Sequence, residues 1–371
     1  MLKSGFEKIL LIAFVLFCYS CSNSQVTEAQ NGLQSAELGA EAIELLHNHL
    51  KTFPDETQVS MAFIDQDTIR YYGVRRVNGM LQAEENSTKV FEIGSISKVF
   101  TATVLANFVV NGKVKLDETL DQQVDIPFHQ DAKITFSSLA NHTSGLPRMP
   151  SNFMMGALFN PSNPYKNYDE EKLNSYLTKE LKFEYTPGTK SSYSNLGAGL
   201  LGHVMAKLSG KEYQQLVDEL IFEKYKMNSS TTKRTDIAEL LVAGRNESGS
   251  ETANWDLGAL IGAGGIYSSV RDLVLFAQAQ FDSTNVELTL TRKSTFKSNS
   301  TSEVGLGWHI RKQQSGDVWH WHNGATGGYR SCMVLNVNKR QGVIILSNIS
   351  AFHKKADEID QLCFSLMKNL K

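Results

Sequence analysis

The sequence predicts an α/β chain of the α+β type: one antiparallel sheet assembled from both chain ends, flanked by helices, with a mostly helical insertion over about 115–250. Three observations point there. Strand-like runs cluster near the two ends of the chain, at 59–75 and again at 305–347. The stretch between reads as helices and loops, and sheet strands split by a helical block favour one shared sheet over two separate units. The composition is that of an ordinary globular protein, with 41% hydrophobic and 20% charged residues over 371 positions. It excludes a disordered chain, a collagen-like fibre and a polytopic membrane protein. With 37 Lys+Arg against 39 Asp+Glu there is no basic excess, which argues against a nucleic-acid partner.

At the start, Lys3 and Lys8 precede the apolar run Ile9–Phe17, followed by Cys18-Tyr19-Ser20-Cys21. A basic start, a short apolar core and a small residue before a cut form the pattern of an export signal. The run is shorter than the about 20 apolar residues of a membrane-spanning helix. Cys21 after Ser20, with polar residues beyond, resembles a bacterial lipoprotein cleavage site in which Cys21 becomes the lipidated first residue. Cys18 stands where such sites usually carry Leu, and plain secretion or a retained anchor are the alternatives. The division expected is a signal over 1–20, a polar tether over 21–35 and one folded domain over 36–371. Export would place it in the periplasm or, through the lipid, on a membrane.

Within the domain, Leu38, Ile43, Leu46 and Leu50 recur at helical spacing, predicting a helix from about Ala36 to Phe53. Val59–Ile64 and Thr68–Arg75, joined by Asp65-Gln66-Asp67, predict a hairpin. Phe91–Gly94 leads into a long apolar helix from about Ser95 to Asn111. A second strong helix runs from Leu196 to Leu208, stopped by Gly210. Strands are expected at Gly305–Arg311, Val318–Asn323, Tyr329–Val337 and Gly342–Ser347, and a last amphipathic helix over about Lys354–Leu370. Cys332 falls in a strand and Cys363 in a helix. Both can be buried thiols, or they can pair in an oxidising compartment.

Ser95-Ile96-Ser97-Lys98 has the form S-x-x-K. On a helix, i and i+3 share a face, so the amine can meet the hydroxyl, and a serine needs such a base to become a nucleophile. The pattern recurs at Ser230–Lys233, Ser294–Lys297 and Ser365–Lys368. The first differs by following a glycine and opening an apolar helix. Tyr193-Ser194-Asn195 has the form Y-x-N just before the second helix, where Ser194 or Asn195 can cap. His322-Asn323-Gly324 ends the run Val318–His322. Period-2 alternation sets Val318, His320, His322 and Gly324 on one face and Trp319 and Trp321 on the other, the indoles against a covering helix. Gly324 would admit another backbone to the strand. His320 and His322 share a face, but no carboxylate set accompanies them, so no metal is expected.

In that order, S-x-x-K, Y-x-N and [K/H]-x-G resemble the penicillin-recognising serine hydrolases, specifically the class C β-lactamase and D-alanyl-D-alanine carboxypeptidase family. Asn141–Pro147, Ala263–Ser269 and His322–Gly328 resemble further segments of that family, and the likeness spans about 38–370. It implies the β-lactamase/transpeptidase-like fold, with the helical insertion as the other wall of the active site, and it calls for no cofactor. It also implies roles. Ser95 would be acylated, with Lys98 as its proton acceptor. Tyr193 would relay the proton, and Asn195 would bind the substrate's amide side chain. The N–H groups of Ser95 and Ala325 would form an oxyanion hole. His322 stands where β-lactamases carry lysine, replacing a fixed charge by a titratable imidazole.

The substrates implied are peptidoglycan-type D-Ala-D-Ala peptides or β-lactams. A carboxylesterase or a slow-turnover penicillin-binding sensor is the alternative. Arg148 and the Met149–Phe159 loop are expected to shape the cleft, His142 to be structural, and Glu92 to tune charge or cap backbone.

Overall fold

The computed structural model describes residues 31–33, 38–126, 128–129 and 133–370. The expected signal, its cut and Cys21 lie outside the described residues, as does most of the tether.

The sheet is built as expected from both ends. Its N-terminal strands are β1 (Asn31–Gly32), β2 (Gln58–Asp65), β3 (Thr68–Val77) and β4 (Met80–Ala83). After a short β5 (Phe91–Glu92) and β6 (Tyr267–Ser268), which pair with each other, come β7 (Phe296–Lys297), β8 (Ser302–Val304), β9 (His309–Lys312), β10 (Val318–Ala325), β11 (Arg330–Asn336) and β12 (Gln341–Ser347). The order is β1-β4-β3-β2-β12-β11-β10-β9-β8-β7, so the two chain ends meet where β2 pairs β12, with Met61 opposite Ile345. All pairings in it are antiparallel except β1 against β4, which places Asn31–Gly32, within the expected tether, on the sheet edge. The β2–β3 hairpin turns at Gln66 and Asp67, with Asp65 opposite Thr68 and Gln66 in the left-handed region (φ 57°).

The helices used below are α1 (Ala40–Leu50), α2 (Ser97–Val110), α3 (Phe136–Ala140), α4 (Phe153–Phe159), α5 (Glu170–Lys179), α6 (Asn195–Ser209), α7 (Tyr213–Val217), α8 (Val270–Phe281), α9 (Val286–Arg292) and α10 (Glu358–Asn369). Each predicted helix is present, the first, second and last trimmed at their ends and the one expected over Leu196–Leu208 extended by one residue at each end. Gly305–Arg311, expected as one strand, opens instead as a turn in which Gly305 N–H bonds Trp308 O at 2.9 Å, and β9 starts only at His309.

The sheet divides two cores. On one face, Ile43, Leu46 and Leu50 of α1 and Ile359, Leu362 and Leu366 of α10 cover Met61, Phe63, Val334 and Ile345. Trp319 and Trp321 lie on this side against Phe364 of α10, with ring centroids 6.1 and 5.2 Å away. Cys332 and Cys363 are here too, buried and free. On the other face a larger core gathers α2, α6 and the helical insertion. α2 is buried on nearly every side, because sheet and insertion enclose it together. Among the described residues no helix is long and apolar enough to cross a membrane.

Candidate active site

The site forms where the start of α2, the start of α6 and the end of β10 converge. Gly94 sits at φ 50°, and a Cβ added there would come within 2.7 Å of Ala325 N. This lets the chain turn sharply between β5 and α2 while the end of β10 lies alongside. Gly324 is needed for the same approach, since its Cβ would stand 2.0 Å from Ile93 O. Ser331 Oγ, on β11, donates to that same carbonyl at 2.8 Å and ties the turn to the sheet. The turn that carries Ser95 is thus brought against the end of β10, where Ala325 lies.

Ser95 is partly exposed, whereas Lys98, one turn on, is buried. Lys98 Nζ is hydrogen bonded to Ser95 Oγ at 2.9 Å and donates to Ala263 O at 2.5 Å. Burial, reinforced by the nearby Arg148 charge, holds the amine well below the usual lysine range. A neutral amine with one N–H committed to a carbonyl keeps a lone pair for the serine proton. At the other S-x-x-K repeats this contact is not made. Ser230 bonds Asp272 and Ser268 instead, and Lys233, Lys297 and Lys368 are exposed.

Tyr193 and Asn195 are aimed by the cap of α6. Ser194 is the capping residue: its Oγ accepts from Gly197 N at 2.9 Å and donates to Pro147 O at 2.7 Å. Asn195 is therefore free of capping, and its Nδ2 reaches Tyr165 Oη at 3.4 Å and Met149 Sδ at 3.7 Å. The Tyr193 ring lies 4.8 Å from Lys98 Nζ and 5.2 Å from the Arg148 guanidinium carbon. Burial pushes its phenol above the usual range, with a hydrogen bond to Ser95 as the largest opposing influence. The group is thus a neutral O–H rather than a phenolate.

His322 is buried beneath this ring, with centroids 6.2 Å apart. Its Nδ1 lies 2.7 Å from Asn323 O, so that nitrogen carries the hydrogen. Desolvation, then the neighbouring His309 and Lys98, hold the imidazole well below its ordinary range and hence neutral. His142, from the segment after α3, packs 4.6 Å from Tyr193, and its Nδ1 accepts from Ser194 N at 3.3 Å, a positioning contact. Among the described residues no cluster of His, Cys, Asp and Glu is suited to a metal ion.

Glu92 lies under the site. Its Oε1 accepts from Asn254 Nδ2 at 2.7 Å and Trp255 N at 3.0 Å, and burial pushes its carboxyl up to about 7. His309, whose ring is 5.1 Å from His322, carried no motif, and Tyr165, which meets Asn195, opens the chain's other Y-x-N run, Tyr165-Lys166-Asn167. Both enter through partners distant in sequence. Ala263 O, which holds Lys98, belongs to a segment singled out only by its likeness.

Comparisons with known proteins bear on the family and the fold. The family model described as Beta-lactamase matches residues 48–364. The D-alanyl-D-alanine-carboxypeptidase/endopeptidase AmpH of Escherichia coli K12 is 26% identical, with 98% of this chain and 98% of that protein covered. A beta-lactamase of Pseudomonas fluorescens is 27% identical over 69% of this chain and 70% of its own length. The crystal structure of a beta-lactamase/D-alanine carboxypeptidase from Pseudomonas syringae superposes with a TM-score of 0.73 at 23% identity, covering 90% of this chain and 100% of that one. The fold is therefore the β-lactamase/transpeptidase-like one expected.

Proposed function

The chain belongs to the beta-lactamase family of serine hydrolases, and from that premise we propose that it works through an acyl-enzyme on Ser95, taking D-Ala-D-Ala-type peptides or β-lactams. The observation that carries this reading is the Lys98 amine, buried and held between Ser95 Oγ at 2.9 Å and Ala263 O at 2.5 Å. Such an amine has one productive use, to take the Ser95 proton as Oγ attacks the substrate carbonyl.

The bond formed is Oγ–C, and the bond broken is that from the carbonyl carbon to the leaving nitrogen. The proton passes from Lys98 through the Tyr193 hydroxyl to that nitrogen. Water then attacks the acyl ester, returns a proton to Ser95 and releases the acid. The N–H groups of Ser95 and Ala325 receive the oxyanion, supported by the proximity that Gly94 permits. Asn195 and Tyr165 take the substrate's amide side chain. Ser95→Ala abolishes labelling by a fluorescent penicillin and by a fluorophosphonate, read on a gel. Full labelling of that variant would remove the assignment.

The proposed setting is outside the cytoplasm, the protein being exported and held at a membrane through a lipid on Cys21. The Lys3–Cys21 pattern supports this, and loss of radiolabelled palmitate in Cys21→Ala tests it.

A further inference from the structure

Every basic group buried in the site is held uncharged. Lys98 comes from α2, His142 from the segment after α3, His309 from β9 and His322 from β10, and burial depresses each of them. The His322 Nε2 is buried and has no partner among the described residues. Because Nδ1 donates to Asn323 O, this Nε2 presents a lone pair. A carboxylate placed against it would meet an acceptor rather than a cation. The strand that carries lysine in β-lactamases therefore offers no anchor for an anion here.

One fixed charge does face this cluster. Arg148 is exposed at the mouth of the cleft, and its carbonyl accepts the N–H groups of Asn195 (3.0 Å) and Leu196 (3.2 Å), which locks it to the first turn of α6. Its guanidinium lies over the Tyr193 ring at 5.2 Å. Among the described residues its side chain makes no ion pair and no hydrogen bond, so its five N–H donors are uncommitted. Its charge is felt at Lys98, His142, Tyr165 and Tyr193, which places it beside the groups around the Ser95 hydroxyl. A guanidinium stays protonated at any working pH and matches a carboxylate with two parallel bonds.

We propose that Arg148 is a specificity-determining residue, the anchor for the substrate's free carboxylate, supplied from the helical wall in place of the cation that β10 lacks. This rests on the reading of Ser95 as the acylated nucleophile.

The test compares a penicillin with its uncharged methyl ester, following acylation at saturating and subsaturating concentrations in the wild type, Arg148→Ala and Arg148→Lys. Arg148→Ala lowers the acid-to-ester ratio of second-order acylation constants by about tenfold or more. The loss appears in the dissociation constant of the acid rather than in the limiting rate, and Arg148→Lys restores part of it. Thermal melts of both variants establish that they fold, as expected for a change at an exposed side chain.

An unchanged ratio in Arg148→Ala overturns the proposal. So does a dissociation constant that climbs with pH along an imidazole titration and loses that dependence in His322→Asn. Absence of any Ser95 labelling in the wild type would instead overturn the acyl-enzyme reading, so the two failures are distinct.

Discussion

The two faces of the large sheet are built from the same strands yet obey different rules. The face under α1 and α10 is sealed with Leu46, Leu50, Met61, Phe63, Val334, Ile345 and Leu362, and even its cysteines are buried and free, burial pushing the Cys332 thiol up. The face under α2 and α6 is apolar at its centre, but its rim holds Lys98, Glu92, His322 and Thr101, all buried. Apolar burial stabilises in proportion to the area hidden, whereas a buried polar group costs free energy unless it is fully partnered. One face thus serves stability, and the other gives up part of its stability to hold titratable groups neutral.

Lys98→Met cuts furthest into this contrast. The thioether keeps length and volume but cannot accept a proton, so acylation of Ser95 falls by about 10³-fold or more. Stability at pH 7 rises, because burial depresses the proton affinity of the amine it removes and so costs the fold stability there. Stopped-flow acylation and urea unfolding read the two quantities. A large loss of stability would mean that this rim is structural after all.

Leu46→Ala makes the converse cut. Leu46 is fully buried between α1 and the sheet, so truncation leaves a cavity and costs about 3 kcal/mol. The specificity constant kcat/KM at 25 °C remains within about twofold, since the contact lies across the sheet from Ser95. A drop in kcat/KM matching the drop in stability would show that the two faces are coupled.

What the sequence discloses follows the same division. The back face was legible because alternation along 318–323 and helical spacing at Ile43, Leu46 and Leu50 are local signals, and the indoles of Trp319 and Trp321 do meet a covering helix. The three site motifs were legible because each is a short run with its chemistry inside it. Short edge pairings such as Phe296–Lys297 with Ser302–Val304 carry too few residues for a period. The charge state of His322 was not legible either. It depends on His309, Lys98 and a carbonyl, brought together only by the fold, and spacing alone left it a titratable imidazole. Arg148 was expected to shape the cleft, but its place over Tyr193 was not legible, because it depends on the cap of α6.

Glu92 gives the gentlest test, because its effect can be dialled with pH. Burial raises its carboxyl from 4.5 to about 7 in the folded protein, so the folded state binds the proton more tightly than the unfolded chain. The associated stability is fully present below pH 4.5 and is lost as pH rises through about 7. A shift of this size corresponds to about 3 kcal/mol, the smaller end of what complete burial can impose. Gln has the shape of the protonated acid and can still accept from Asn254 and Trp255. Glu92→Gln therefore matches the wild type near pH 4.5 and exceeds it by up to about 3 kcal/mol at pH 8, measured by denaturant unfolding across that range. The acid-side weakening from charging His142, His309 and His322, whose folded values lie below the unfolded one, develops below pH 6.5 and is common to both proteins, so it cancels in the difference. A difference that stayed constant with pH would mean that Glu92 is ionised throughout, held by charges the front face was thought to lack.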